Sequence, residues 1–432
     1  MGANLTPELT PGLSPEIVPE LSPGSPPGSV PGGRRPPEIL PPPVERYSVL
    51  GWLRKNLFQN WASTLATLVM AALGVWVVRG MLQWVLTGAD WGVIVTNLQL
   101  LLIGQYPRDQ VWRLWLVLMV MGVVAGLSWG VWVKYERKGA TALVVGMPFL
   151  LALLPYDTQT RLLWASLGTV TLAAYLLGSR FPTQLRRAAL VGWLAFIPVA
   201  MVLIYGLGDN TVLPTVATNI WGGLLLTLII AGIGLTVSFP IGIVLAVGRR
   251  SKYPVIRAAC IVYIELIRSV PLITVLFMAQ TMIPLFLPDT ISIDRVVRAI
   301  IAFTVFTAAY MAENVRGGLQ AVPKGQYEAA GAVGLNGYQS MRLVILPQAL
   351  RSIIPILTAS IIAGFRDTSL VLILGLLDLL GIAKATLAQP AFLGRHIEVY
   401  SFLAAVYWFI SYGISYVGLM IEERMGVSPD KR

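Results

Sequence analysis

Two stretches of this 432-residue chain hold side chains capable of chemistry in otherwise apolar surroundings. The first is Arg366-Asp367-Thr368-Ser369, a cation and an anion side by side, followed by two hydroxyls, inside a run of Ile, Ala, Gly and Leu. A charge at the centre of a bilayer costs about 2.5–3.5 kcal/mol on insertion scales, so such residues line an interior cavity or pair. Adjacent residues cannot share one helical face. One of the two is therefore free to meet a solute while the other pairs with a neighbouring helix. The alternative is a structural ion pair where two membrane subunits touch. The second stretch runs from Arg316 to Arg351, where Gly, Pro, Glu and Arg interrupt the apolar pattern.

Residue counts exclude much else. One histidine (His396) and one cysteine (Cys260) leave no cluster for a metal site and no disulfide framework. No nucleophile–base pair stands out, so an intramembrane enzyme is disfavoured. No G-x-x-x-x-G-K-[ST] loop is present, so nothing here cradles nucleotide phosphates. The chain needs no cofactor of its own; ATP and Mg, if used, must be held by another subunit.

The elements that position these residues follow from composition. Charged residues are 12% of the chain and hydrophobic residues 56%, with a mean hydropathy of +0.72. Soluble domains carry about 25% charged residues, so hydrocarbon is the main solvent and the expected fold is an all-α polytopic membrane protein. Residues 1–47 differ: prolines at 7, 11, 15, 19, 23, 27 and 31 beat every four residues, and more follow to 43. Proline forbids helix interiors, so this segment reads as an extended, disordered cytoplasmic tail, with no apolar run resembling a cleavable signal peptide.

Beyond the tail, apolar runs near the 20-residue crossing length occur at Trp61–Val78, Leu114–Val133, Thr141–Pro155, Leu162–Gly178, Ala188–Gly206, Gly222–Gly248, Ser269–Leu287, Val296–Arg316, Ser352–Leu376 and Val399–Ile421. The third is short and contains Pro148, and Val255–Ile267 reads as a surface helix before the seventh. Ten crossings place both termini on one side. With the amino terminus inside, inner segments hold 22 Lys/Arg and outer segments 8, as the positive-inside rule requires. The net charge of +11 is thus met by anionic lipid headgroups, and nucleic acid is not needed to explain it. Trp61, Trp112, Trp115, Trp132, Trp193 and Trp221 read as interfacial anchors.

In the second chemical stretch, Gln326–Val333 is helix-forming, Gly334-Leu335-Asn336-Gly337 makes a turn, and a second amphipathic helix runs to about Leu346 and stops at Pro347. Two short helices at such a corner suit docking into a groove on a partner. The alternative is an interfacial loop resting on its own membrane domain.

Here a resemblance becomes specific. Glu328-Ala329-Ala330, then Gly334, then Val344-Ile345-Leu346-Pro347 resembles the EAA signature of ABC importer permeases. Leu225-Leu226-Thr227-Leu228, Glu265-Leu-Ile-Arg268-Ser-Val-Pro271-Leu272, Ala312-Glu313-Asn-Val-Arg316-Gly317-Gly318, Pro323-Lys-Gly325-Gln326, Leu346-Pro347-Gln348-Ala349 and Arg366-Asp367-Thr368-Ser369-Leu370 point to the polar amino acid branch, over about 200 residues. Five spans ahead of that core resemble the long permease of general L-amino acid importers.

The resemblance implies an organisation of tail 1–47, membrane extension 48–210 and permease core 211–432, with a coupling segment at 316–351. It implies alternating access in the bacterial inner membrane, driven by an ABC ATPase subunit. A second permease subunit (a different chain) and an extracytoplasmic amino acid-binding protein complete the implied assembly. Coupling would fall to Gly325, Tyr327, Glu328, Ala329, Ala330, Gly331, Gly334, Arg342, Leu346 and Pro347, with a Glu328–Arg342 contact bracing the two helices. Substrate contact would fall to Ser360, Arg366, Asp367, Thr368 and Ser369. The guanidinium and carboxylate suit an amino acid's α-carboxylate and α-ammonium, and Ser360, lacking an acid, argues against a strictly cationic substrate. Glu265, Arg268, Pro271, Glu313 and Arg316 read as structural or gating residues near the inner boundary, with Glu265/Arg268 and Glu313/Arg316 each spaced i, i+3 to pair on one helix face. The competing reading, an ion-gradient-driven carrier or channel for small polar solutes, predicts inverted repeats. The sequence lacks them.

Overall fold

A computed structural model describes residues 49–133, 138–154, 156–208, 212–288 and 290–426; the expected tail over 1–47 lies outside them. The described residues form helices α1 (Val49–Leu57), α2 (Trp61–Gln83), α3 (Gly92–Ile103), α4 (Val111–Trp132), α5 (Lys138–Ala152), α6 (Thr158–Arg180), α7 (Pro182–Tyr205), α8 (Gly223–Gly248), α9 (Pro254–Ser269), α10 (Leu272–Phe286), α11 (Arg295–Ala321), α12 (Lys324–Ala332), α13 (Gly337–Ser340), α14 (Leu346–Ser352), α15 (Ile354–Asp367), α16 (Leu379–Leu387) and α17 (His396–Met425).

The described residues fall into two compact units, one up to Thr87 and one from Gly88 onward. In the first, Asn60 caps α2: its side chain accepts from the Ser63 amide at 2.9 Å while its own amide donates to the Ser63 hydroxyl at 3.1 Å. The 23-residue α2 buries none of its residues and is apolar all round, as a helix solvated by lipid is.

In the second unit α4 packs on α6 and α7, and α8 packs on α11. Glycine lets these backbones close up. A Cβ at Gly126 would lie 2.4 Å from the Thr171 carbonyl oxygen, one at Gly130 2.3 Å from that of Tyr175, and one at Gly242 2.6 Å from the Met311 Cβ. At one end, three segments meet backbone to backbone. Gly223 donates to the Leu377 carbonyl at 2.9 Å and Gln105 to that of Ile220 at 3.1 Å. Gly104 (φ 64°) and Gly223 (φ 61°) are left-handed there, and a Cβ at Gly223 would sit 2.2 Å from the Leu101 oxygen.

Among the described residues eight helices are long and apolar enough to span a bilayer, or nine with the bent pair α9–α10, against the ten expected. The shortfall is α5: fifteen residues with Pro148 inside reach about 22 Å, short of the ~30 Å hydrocarbon thickness. The pair α9–α10 bends by 104°. Pro271 forces Val270 into extended backbone (φ −109°, ψ 135°) between the two helices. α15 continues as a 3₁₀ helix, Thr368–Leu374.

Two helices fall where loops were expected. α3 buries Val93, Ile94 and Leu101 against Leu379 of α16 and Val399 and Leu403 of α17, so apolar packing runs across residue 210. Trp221, expected as an interfacial anchor, is 3% exposed and lies in the core beside Tyr106 and Leu226. His396, expected in an outer loop, begins α17 and stacks on Tyr400.

Candidate functional site

The coupling segment is built from a corner and a kink. α12 ends at Gly334, whose φ of 80° allows its amide to reach the Gly331 carbonyl (2.9 Å) and the Leu335 amide to reach that of Ala330 (3.1 Å). That double closure is a Schellman end, which favours glycine at this residue. Asn336 then starts α13 with a capping box to Gln339. The expected stop at Pro347 is not made. Residues Met341–Ile345 form a π turn, with the Leu346 amide bonded to the Met341 carbonyl, and Pro347 sits in the first turn of α14. The wider turn removes the i→i−4 bond that proline cannot make and the carbonyl its ring would strike. The chain breaks instead at Ile353, ahead of Pro355.

One face of this segment is fastened. Ile345, Ala349 and Ile353 pack with Ala246, Ile264, Val315 and Leu319, and Ala330 is 2% exposed. Gln348 donates to Gln326 at 3.0 Å, tying α14 to α12; Leu346 is half-buried on the same side. The other face is bare: Gly325, Glu328, Ala329, Gly331, Arg342 and Pro347 are exposed, with Val333 at 78%, Tyr338 at 71% and Leu343 at 62%. Glu328 and Arg342 do not brace the helices; the Arg342 guanidinium lies 3.5 Å from the Tyr338 hydroxyl on its own stretch of chain. The half-buried Tyr327 does the joining, accepting from Arg250 Nη1 at 2.9 Å and donating to the Leu319 carbonyl at 3.2 Å.

On α9, α11 and the end of α8, to which the segment is fastened, lies a charge cluster that differs from the expected one. Glu313 and Arg316 pair as their spacing predicts, with Arg316 Nε 2.7 Å from Glu313 Oε1. Glu265 and Arg268 do not pair with each other. Glu265 takes Arg249 of the α8 end at 3.0 Å, and Arg268 lies 3.5 Å from Glu313 of α11. The i, i+3 rule sees only one helix; here the end of α8 supplies the stronger partner. Pro271 forms the bend next to this cluster.

The candidate substrate residues sit where α15 turns into the 3₁₀ stretch. Asp367 is the last residue of α15, and it and Arg366 are both exposed, with no ion pair between them among the described residues. Ser360 is held by Asn314 of α11, whose amide donates to its hydroxyl at 2.8 Å. Thr368 is fully buried and donates to the Phe365 carbonyl at 2.7 Å, while Ser369 is half-buried. Asn314 belongs to the Glu313-Asn-Val-Arg316 stretch, but nothing in its spacing points to Ser360, which lies 46 residues away.

Farther along, Asp378 caps α16 through the amides of Gly381 (2.9 Å) and Leu380 (3.3 Å). The Thr227 hydroxyl of α8 accepts from the Leu379 amide at 3.1 Å. Burial pushes the Asp378 carboxyl up from its ordinary value to about 6. Among the described residues no three His, Cys, Asp or Glu gather to hold a metal.

Residues 238–427 match the family described as binding-protein-dependent transport system inner membrane component. The inner membrane amino-acid ABC transporter permease protein YhdY of Escherichia coli is 37% identical over 388 residues, 86% of this chain and 92% of its own length. The glutamate/glutamine/aspartate/asparagine transport system permease protein BztC of Rhodobacter capsulatus is 33% identical over 89% of this chain and 95% of its own. In the glutamate/aspartate import permease protein GltK of Escherichia coli, 35% identity covers 91% of that protein but 47% of this chain. A multi-pass helical chain alike over most of its length to two such permeases belongs to the amino-acid ABC transporter permease family.

Proposed function

We propose that this chain is the translocating subunit of an importer for polar L-amino acids. A separate ATPase, binding ATP and Mg, drives it by gripping the bare face of α12, the π turn and α14. The observation that carries the reading is the two-sidedness of that segment, fastened to α8, α9 and α11 on one face and open, with apolar residues, on the other. Such a face suits a groove. The amino acid would pass Ser360, Arg366, Asp367, Thr368 and Ser369. The exposed cation and anion of that group suit a zwitterion and a contact with a second permease subunit, here taken to be a different chain.

The organisation follows: tail 1–47, extension 48–210, and permease core 211–432 with its coupling segment 316–351. The family match over 238–427 falls inside the last of these segments. Both termini lie in the cytoplasm of a bacterial inner-membrane assembly, in keeping with the 22-to-8 distribution of Lys and Arg. An extracytoplasmic binding protein delivers the substrate.

Purification of the tagged chain with its associated subunits tests this. An ATPase and a second permease should co-purify, and amino-acid-loaded binding protein should stimulate ATP hydrolysis. Glu328→Lys should abolish uptake and leave membrane insertion intact. Normal transport by that variant contradicts the coupling role, and uptake that survives loss of ATPase activity contradicts the whole scheme.

A further inference from the structure

Glu313 uses its two oxygens differently. Oε1 is taken by Arg316, while Oε2 is buried, accepts no hydrogen bond, and lies between Arg249 Nη1 at 3.6 Å and Arg268 Nη1 at 3.5 Å. Both distances exceed the ~3.2 Å limit of an ordinary N–H···O bond. A shift of about half an ångström toward either donor completes one bond and abandons the other. Glu313 Oε2 is thus attracted by the charge of both guanidinium groups and hydrogen-bonded to neither, so a small displacement of either arginine decides which bond forms.

The two donors stand on different helices. Arg249 is the cap residue of α8 and is also held by Glu265 at 3.0 Å. Arg268 lies in the last turn of α9, just before the 104° bend at Pro271. Arg250, the neighbour of Arg249, donates to the Tyr327 hydroxyl on α12 at 2.9 Å. The Arg249-Arg250 pair therefore bonds the coupling helix on one side and faces the Glu313 carboxylate on the other.

We propose that Glu313 is a two-position latch: displacement of α12, carried by Tyr327 and Arg250 to the end of α8, moves Glu313 Oε2 between Arg249 and Arg268 and so sets the angle of α9 against α10. Discrete alternatives of this kind, rather than continuous flexing, carry motion through packed helices. The latch rests on the docking role proposed for α12, and it makes Arg249, Arg250 and Arg268 positioning residues for transport.

The test uses the complete importer in proteoliposomes with its ATPase and binding protein, and reads ATP hydrolysed per amino acid imported. Misfolding lowers both quantities together; a broken latch changes their ratio. Tyr327→Phe, which removes the hydroxyl and keeps the ring, and Glu313→Gln should each raise the ratio about fivefold, the first by losing the Arg250 link and the second by losing the carboxylate charge. The double variant should be no worse than Glu313→Gln alone, because both changes break one linkage. Unchanged ratios in both single variants, or a multiplied rise of about 25-fold in the double, overturn the latch. Arg268→Lys, which keeps the charge and loses the forked reach, supplies a second reading if Glu313→Gln fails to assemble, with the same rise expected and an unchanged ratio counting against the latch. Cross-linking of α12 to the ATPase should persist in Glu313→Gln. Its loss there would put the defect at docking and overturn the latch while leaving the docking role standing.

Discussion

Replacing Gly334 by Ala separates backbone conformation from packing, because a Cβ at that position would meet nothing within 4 Å. The whole effect then comes from φ, which is 80°. An L-residue held in the left-handed region costs about 1–2 kcal/mol, a change of about 5- to 30-fold in the population of the corner. Gly331 offers the matched control. A Cβ there also meets nothing within 4 Å, but the residue lies inside α12, where Ala is favoured over Gly by about 1 kcal/mol. The two Gly→Ala changes should move the corner in opposite directions. Amide hydrogen exchange over residues 324–340 of the purified protein reads this directly: faster by about 5- to 30-fold in Gly334→Ala, slower in Gly331→Ala. Gly334→Asn, which tolerates positive φ, should fall between wild type and Ala. Wild-type exchange in Gly334→Ala would show that the left-handed residue does not form the corner.

Asp378 should give a pH signature. Burial raises its carboxyl from 3.8 to about 6, so the folded chain binds that proton more tightly than the unfolded one. Its contribution is full below pH 4 and is lost as pH rises through 6. Two units correspond to about 3 kcal/mol. Asp378→Asn, which keeps the cap acceptor, should flatten the fall in melting temperature between pH 4 and 7 in detergent; parallel curves would exclude the buried acid as its source. Gly242→Ala should lower the melting temperature by prising α8 from α11, since its Cβ would lie 2.6 Å from the Met311 Cβ and 2.9 Å from the Ala312 amide nitrogen. The cost is about 1–3 kcal/mol, and an unchanged melt would mean that the two helices do not meet there. Arg113 is fully buried, bonds the Pro214 carbonyl at 2.8 Å, and leaves Nε and Nη2 unpartnered. Arg113→Met removes a buried charge but leaves the Pro214 carbonyl without its donor, so it should cost no more than about 1–3 kcal/mol; a larger loss would reveal a buried anion.

How much was legible in the sequence depends on the range of the interaction that decides each feature. Gly334 and Asn336 act on their immediate neighbours, and the corner between α12 and α13 follows from their types alone. The span helices follow from apolar length, except α5, where Pro148 and a short run leave too little. Pro347 misled because its conflict is with residues a turn earlier, and the π turn at Met341–Ile345 relieves it without ending the helix. Glu265 misled because the better partner, Arg249, comes from another helix, which spacing along one chain segment does not register. α3 has only twelve residues, Thr96, Asn97 and Gln99 among them, too short and too polar a run to read as a span; only its burial against α16 and α17 makes it a helix of the core. The evenly spaced Gly122, Gly126 and Gly130 mark the α4–α6 contact, which apolar length alone does not register.

Disulfide trapping between the coupling segment and the ATPase reaches the central claim by the shortest route. Cysteines placed at exposed Ala329 and Tyr338, in a chain with Cys260 replaced, should form bonds to cysteines on the ATPase in the assembled importer, with yields that change when ATP is added. A cysteine at fully buried Ala349 should form none. Bonds at Ala349 with none at Ala329 or Tyr338 would mean that the bare face is not the one gripped, and the account of how ATP moves this permease would be wrong.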